Sequence, residues 1–373
     1  MTQRWSFTPV DTLFFRDSTP YEAGTVNMVQ PKSVFPPTIF PLQGAIRTAL
    51  ALEMKWRPGR DFPSELGNEE DLGNLHLKGP FIAKDEKLYF PMPLVLYGDY
   101  SEEEDRWSFL QRLTPGLPIK SDLDEDAEHG LRFLQAVNWG KGSVLECWGT
   151  EKALAQVLEG DVPDPKELLS PKKMWKHEQR IGIQLDLKQR KVKGGHLYAS
   201  SHVRTREGIT LEVEVDGADE ICNFQKKIVP LGGEGRFAGV EVKKGMLPLP
   251  EAPTLKRRKD GKCLYTLSLL TPGLWMPEKL REIIRNGPPE APGKCISASI
   301  AKVWRIGGWN LKQRRTREIR PFLPPGSTWF FEADEGDEAA ILRLNHTQTG
   351  EKKAYGLGHL VVGTWEDKEE EQC

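Results

Sequence analysis

An α+β fold is predicted, with two ferredoxin-like (RRM-like) units in tandem that carry glycine-rich loops and insertions. Three observations predict it. The order strand, helix, strands, weak helix, strand runs through residues 1–250 and restarts in 251–373. In each half a glycine-rich loop precedes the closing strand. The chain of 373 residues carries 35 Gly and 28 Pro, which favours many loops and few long helices, and it is long enough for two cores.

The elements follow in order. Residues 4–16 alternate loosely around Trp5, Phe7, Val10, Leu13 and Phe14 and predict a strand and a turn. Pro36, Pro37 and Pro41 stop any helix from beginning before about residue 41, and from Leu42 onward Leu42, Ala45, Ile46, Ala49, Leu50 and Met54 have helical spacing. Residues 75–96 read as two strands about a turn at Lys84–Lys87. An acidic stretch at 98–130 reads as a mobile insertion, and the insertions together occupy about 98–178, with a short helix at 151–160. Three strand-like runs follow His177, the last two predicted to form a hairpin around Glu207-Gly208. Lys226–Pro230 and Phe237–Val242 are strands on either side of the first glycine loop. Pro248, Pro250, Pro253 and the basic run 256–262 read as a linker. Beyond it come a strand at 263–272, a helix at 277–286, strands at 295–310, 327–333 and 339–345, and a closing strand at 355–365.

Hydrophobic residues make up 38% and charged residues 28%, and no apolar run is long enough to span a bilayer, so a cytoplasmic protein is expected. The five cysteines are scattered without a C-x-x-C pair, which disfavours a zinc site or a disulfide framework. A net charge of −2 conceals segregation. Residues 101–105, 122–128 and 366–371 are acidic, whereas Lys172–Lys193 and Lys302–Arg320 are strongly basic. Local basic stripes, rather than the global sum, set affinity for phosphate.

Four segments are candidates for contact with nucleic acid. Leu231-Gly232-Gly233-Glu234-Gly235-Arg236 lacks the G-K-[ST] of a phosphate-binding loop and is followed by a strand instead of a helix. Its glycines let the backbone come close to a ligand and aim N–H groups at phosphate oxygens, with Arg236 beside them. Gly356 and Gly358, before His359, invite the same reading. From Gly307 to Arg317, Trp309 stands next to Lys312, Arg314 and Arg315, a mixture that suits single-stranded nucleic acid on a projecting hairpin. Arg16, in Phe14-Phe15-Arg16-Asp17, ends the first strand. Each segment also has a plain structural reading as a turn, a packed strand end or a solvated basic loop.

Catalytic signatures are weak. None of the seven histidines has metal-ligand spacing, and no G-x-S-x-G elbow is present, so neither a catalytic residue nor a cofactor is assigned. His196, Tyr198 and His202 share a region in which acid–base cleavage of RNA is chemically conceivable.

Taken together, the motifs resemble a known family. W-x-F-x-P-x-D-x-x-F-F-R-D at 5–17, F-P-P and G-A-I-R within 35–47, and R-I-G-I at 180–183 fit the third subunit of the type III-B CRISPR (Cmr) effector complex. So do L-G-G-E-G-R at 231–236, L-L-T-P at 269–272, P-P-G-S-T-W-F-F at 324–331 and the G-L-G-x-x-x-V-G-x-W ending at 356–365. Ser18 stands where that family often has Gly. The resemblance implies membership of the repeat-associated mysterious protein (RAMP) superfamily and two ferredoxin-like domains. It also implies a non-catalytic role in antiviral defence, holding the 5′ tag of the CRISPR RNA. The expected partners are that RNA, the large polymerase-type subunit and the backbone subunits, with no membrane contact and no homo-oligomer. Arg16, Arg47, Arg180, Arg236, Lys312, Arg314 and Arg315 are the expected cations, Trp309 a stacking residue, and the amides of Gly232, Gly233, Gly235 and Arg236 the expected donors. The alternative is a metal-independent endoribonuclease that matures CRISPR transcripts, with His202 or His359 as acid–base group.

Overall fold

The computed structural model describes residues 2–17, 32–101, 103, 106–119, 131–137, 140–186, 191–310 and 315–367. It is a mixed α/β chain of mostly antiparallel strands, and no helix among the described residues is long and apolar enough to cross a membrane. Two compact units interleave along the sequence. The first comprises 1–87, 171–247 and 305–320, and the second 88–170, 248–304 and 321–373. Pro248 opens a stretch of the second unit close to the expected boundary at 250, but 88–170 also belongs to that unit and 305–320 to the first.

In the first unit, β1 (Gln3–Pro9) is followed by α1 (Ile39–Glu53) and β2 (His76–Lys84). Next come the hairpin β3 (Trp175–Asp186) and β4 (Lys191–Thr205), then β5 (Ile209–Asp216), β6 (Lys226–Pro230) and β7 (Phe237–Lys244). The sheet order is β2-β5-β1-β7-β6, every pairing antiparallel. Trp5 and Phe7 of β1 and Leu211, Val213 and Val215 of β5 are buried, while Arg4, Ser6 and Thr8 point to the other face, as period-two alternation requires. Helix α1 begins at Ile39, two residues before the expected limit of about residue 41. Pro41 falls in its first turn, where no amide needs an intrahelical partner, so it does not block the helix. The expected hairpin of β4 with β5 does not form. Both edges of β5 are taken by β1 and β2, and β4 pairs with β3.

In the second unit, β8 (Cys263–Leu269), α2 (Leu280–Asn286), β9 (Lys294–Ser299), β10 (Thr328–Ala333), α3 (Glu338–Leu342) and β11 (Leu360–Thr364) follow one another. The sheet order is β11-β8-β10-β9, again antiparallel. Its core stacks Tyr265 on Phe331 with ring centroids 4.8 Å apart, and buries Trp329, Leu267, Ile283 and Ile341. The run 339–345, expected as a strand, instead starts in α3; Ala339 and Ala340 favour helix, and Ile341 is the buried face. The helix Glu151–Leu158 belongs to this unit, capped by Thr150, whose hydroxyl accepts from the Ala153 amide at 3.3 Å. The expected insertion is partly ordered, with strands at Leu96–Ser101 and Arg106–Arg112 among others, while 120–130 lies outside the described residues. The basic run after residue 255 is no loose linker. Lys256–Arg257 pairs with β8, and Arg257 and Arg258 are bound by Glu335, Glu338, Glu332 and Asp260.

Candidate nucleic-acid interface

The first glycine loop joins β6 to β7 at the exposed edge of the first unit's sheet. Its ends are closed by the Leu231 amide donating to Arg236 O at 2.8 Å. The loop is then fixed to the Phe14-Phe15-Arg16-Asp17 segment, because the Gly233 amide donates to Phe14 O at 2.8 Å. Gly232 has φ +83°, and a Cβ there would stand 2.6 Å from Phe14 O, so only glycine fits. Glu234 also adopts a positive φ, of 56°. The Gly233 and Arg236 amides, expected as ligands for RNA, are engaged by Phe14 O and, at 3.3 Å, by Gly233 O. The amides of Gly232, Glu234 and Gly235, all exposed residues, engage no hydrogen bond among the described residues.

A cationic cluster lies beside this loop. Paired residues of an antiparallel hairpin share a face, so the registers Lys176↔Arg204, Glu178↔His202 and Arg180↔Ser200 set these side chains on one side of β3–β4. The hairpin is held to the end of the first strand by Leu13 and Val203, each amide donating to the other's carbonyl. Asp11 is brought under it. Its Oδ2 accepts from Arg180 at 2.9 Å and from Arg236 at 3.1 Å, and its Oδ1 accepts from Arg204 at 3.0 Å. Glu178 accepts from Arg180 at 3.0 Å and also binds Arg204. The Arg204 guanidinium, followed by Arg180, holds the Glu178 carboxyl down to about 2. Burial pushes the Asp11 carboxyl up, but bonds from Arg180, the Thr12 amide and Arg204 outweigh it and leave the group below the usual carboxylate range. Three guanidinium groups are thereby fixed in place at the loop's flank, with exposed Arg16 and Lys176 at its margins.

His202 lies beneath the cluster and is 2% exposed. Its ring stacks on Phe14 at 4.9 Å, and its nitrogens face Thr12 Oγ1 at 3.3 Å and Ser200 Oγ at 3.1 Å. Burial, then the charges of Arg236 and Arg180, lower its pKa and favour the neutral ring. The buried ring packs under Phe14, whose carbonyl anchors the loop. His359, the other acid–base candidate, is fully buried in the second unit, its Nε2 3.2 Å from Nδ1 of His346. The side chains of His196 and Tyr198 lie outside the described residues.

Arg47, Gly356 and Gly358 have partners of their own. Arg47 donates to Gln43 Oε1 at 3.2 Å and to Asn68 O at 2.8 Å and lies over the Phe62 ring, tying α1 to the segment after it. The second glycine turn is internal to the second unit. Gly356 and Gly358 are buried, Gly356 O accepts from Thr271 Oγ1 at 2.7 Å, and a Cβ on Gly358 would stand 2.1 Å from Thr349 O. Close packing accounts for these glycines, and the expectation that they face RNA is corrected accordingly. The hairpin expected near Trp309 is present in its backbone, Trp309 pairing with Thr316 and Asn310 with Arg315. Arg315 is exposed, whereas Lys312, Arg314 and the Trp309 side chain lie outside the described residues.

Arg204, Asp11 and Glu178 were not singled out from the sequence. The alternation Glu178, Arg180, His202, Arg204 carried the signal, but it becomes readable only once the pairing register of β3 with β4 is known.

Comparison with known proteins agrees with this picture of the fold. A chain in a cryo-EM structure of the Type III-B Cmr-beta bound to cognate target RNA superposes with a TM-score of 0.51 at 18% identity, covering 88% of this chain and 86% of that one. A chain of the same assembly bound to cognate target RNA and AMPPnP gives 0.50 at 17% identity, with the same coverage. At these identities the likeness is one of fold. No curated protein matches in sequence. The family model described as CRISPR-associated protein (Cas_Cmr3) matches residues 5–365, and with nearly the whole sequence inside that match, the chain belongs to this family.

Proposed function

We propose that this chain is a non-catalytic subunit of a cytoplasmic type III-B CRISPR ribonucleoprotein, built on two ferredoxin-like units. In this reading it holds the 5′ tag of the CRISPR RNA and joins the large polymerase-type subunit to the backbone. One observation carries the reading: three unengaged amides of the exposed Gly232–Gly235 loop stand beside Arg236, whose carboxylate partner Asp11 also holds Arg180 and Arg204 of the β3–β4 hairpin. Amides held without an internal partner donate to phosphate oxygens, and guanidinium groups bind the same oxygens with charge-assisted bonds. Family membership supplies the context of an RNA-guided complex. The second unit's strand order, with its fourth strand beside the first and the third between first and second, supports the ferredoxin-like reading there. In the first unit β2-β5-β1-β7 gives the same order without the second helix.

The test is a crosslink. A guide carrying photoreactive nucleotides in its tag is assembled into the complete particle and irradiated. Adducts on 14–16, 204 or 231–236 are expected; tag adducts confined to other subunits would overturn the assignment.

A further inference from the structure

The face of the first unit's sheet opposite α1 changes character along its length. Around β1 and β5 it is polar and internally satisfied, with Arg4 and Ser6 both bonded to the buried Glu212 carboxylate. At the glycine-loop end it is apolar and open. In the ladder Pro230 pairs with Phe237, and Val10 continues the row by donating its amide to Phe237 O at 3.1 Å. Ile228 lies on the diagonal, two residues from Pro230 on β6. Phe237 is 46% exposed, Val10 65% and Ile228 69%. A ring standing open in a strand, immediately after Arg236 and within a row of exposed apolar neighbours, has no packing role that explains it.

On the other side of Val10 the sheet opens. The pairing of β1 with β5 stops at Phe7↔Leu211, whereas β1 stays with β7 to Pro9↔Ala238. The splay leaves an open cleft lined by Val10, Asp11, Arg204 and Arg206. Aromatic surface, cationic cluster and free amides thus adjoin one another within the first unit.

We infer that Phe237 is a base-stacking residue, which receives an unpaired nucleobase of the RNA whose phosphates lie on the glycine loop and Arg236. The inference rests on the RNA-binding reading above and adds to it a contact with a base. The charge beside the row selects the occupant: an anionic polymer with flat apolar rings satisfies Arg180, Arg204, Arg236 and Phe237 together. Stacking on an exposed aromatic is tolerant of base identity, so Phe237 contributes affinity and the placement of one nucleotide rather than sequence discrimination.

The test uses the full-length chain and repeat-derived single-stranded RNA, intact or with single abasic positions. Phe237→Ala is expected to weaken binding about tenfold at every salt concentration without changing the salt slope. Phe237→Leu keeps the bulk and stays weak, whereas Phe237→Trp restores binding and its fluorescence is quenched by RNA. One abasic position should bind wild type and Phe237→Ala equally. Unchanged affinity in Phe237→Ala, including the case where the variant only impairs assembly with another subunit, would overturn the stack and leave the RNA-binding reading standing. Failure of the wild-type chain to bind this RNA would remove both.

Discussion

Arg204 and Arg180 reach the same two carboxylates, Asp11 and Glu178, from opposite strands of one hairpin, and each is thereby held beside the glycine loop. The carboxylates fix the direction of the guanidinium groups and still leave N–H donors for a further anion, since each guanidinium carries five.

If these cations meet phosphates, the salt dependence of binding reports it. Replacing Arg180, Arg204 and Arg236 together by Ala is expected to lower affinity for tag RNA at low salt and to reduce the slope of log K against log salt by about 2. Fluorescence anisotropy across a salt series measures both. An unchanged slope would mean that the three guanidinium groups serve the fold alone.

The glycine loop offers a contrast between neighbours. Gly232→Ala introduces a Cβ 2.6 Å from the Phe14 carbonyl at φ +83° and is expected to cost about 2 kcal/mol or more in chemical denaturation. Gly233→Ala meets only the Phe14 ring, at 3.2 Å, and is expected to cost less than half as much, because a ring can shift where a backbone oxygen cannot.

The neutral His202 links stability to pH. Its pKa is lowered in the fold from the ordinary 6.5. Stability from this site is therefore complete above pH 6.5 and is lost as pH falls through the folded-state value, because the unfolded chain takes up the proton first. The denaturation midpoint of wild type should accordingly fall more between pH 8 and pH 5.5 than that of His202→Gln. Parallel curves would show that the ring is not held neutral.

Glu178 titrates far lower. Held down to about 2 against an ordinary 4.5, it contributes stability above pH 4.5 that disappears as pH falls toward 2. The stability gap between wild type and Glu178→Gln should stay constant from pH 7 to about 5 and close below it. A gap still open at pH 2 would place the effect in packing and not in charge.

Arg112 is a buried cation in the second unit whose bonds go to carbonyls, Thr364 O at 2.9 Å and Val157 O at 3.5 Å. Val157 lies at the end of the helix Glu151–Leu158, where the dipole favours positive charge. Burial lowers the guanidinium pKa to about 10. Arg112→Ala is expected to cost about 2–4 kcal/mol through lost packing and unpaired carbonyls. Arg112→Met, which keeps the apolar stem and removes the desolvated charge, should cost less. Thermal unfolding of the two variants checks the order.

Much of this was legible in the sequence, for reasons that can be named. Trp5, Phe7, Leu211 and Val213 alternate, and alternation marks a strand with one buried face. The clustered glycines at 232–235 marked a turn with unusual backbone, and it is there. What was hidden depended on pairing. Nothing local says that β5 pairs with β1 and β2 instead of β4, or that Gly233 finds Phe14. Burial was hidden too. Gly356-Leu357-Gly358 looks like Gly232-Gly233-Glu234 in composition, yet the first is packed inside and the second faces solvent. Arg47 sits in a helix whose outward face would have suited a ligand, but the Asn68 carbonyl and the Phe62 ring occupy it.

The interleaving of the two units bears on how the chain is made. Strand β1 leaves the ribosome with neither of its sheet neighbours, which arrive only with residues 209–216 and 237–244. At ordinary elongation speeds that wait is on the order of ten seconds or more. Strand β8 likewise lacks one neighbour until 360–364 has been made. Nascent chains therefore carry unpaired apolar edges until those segments are made, and soluble yield should respond to slower initiation, lower temperature or extra chaperone more than to any single surface substitution.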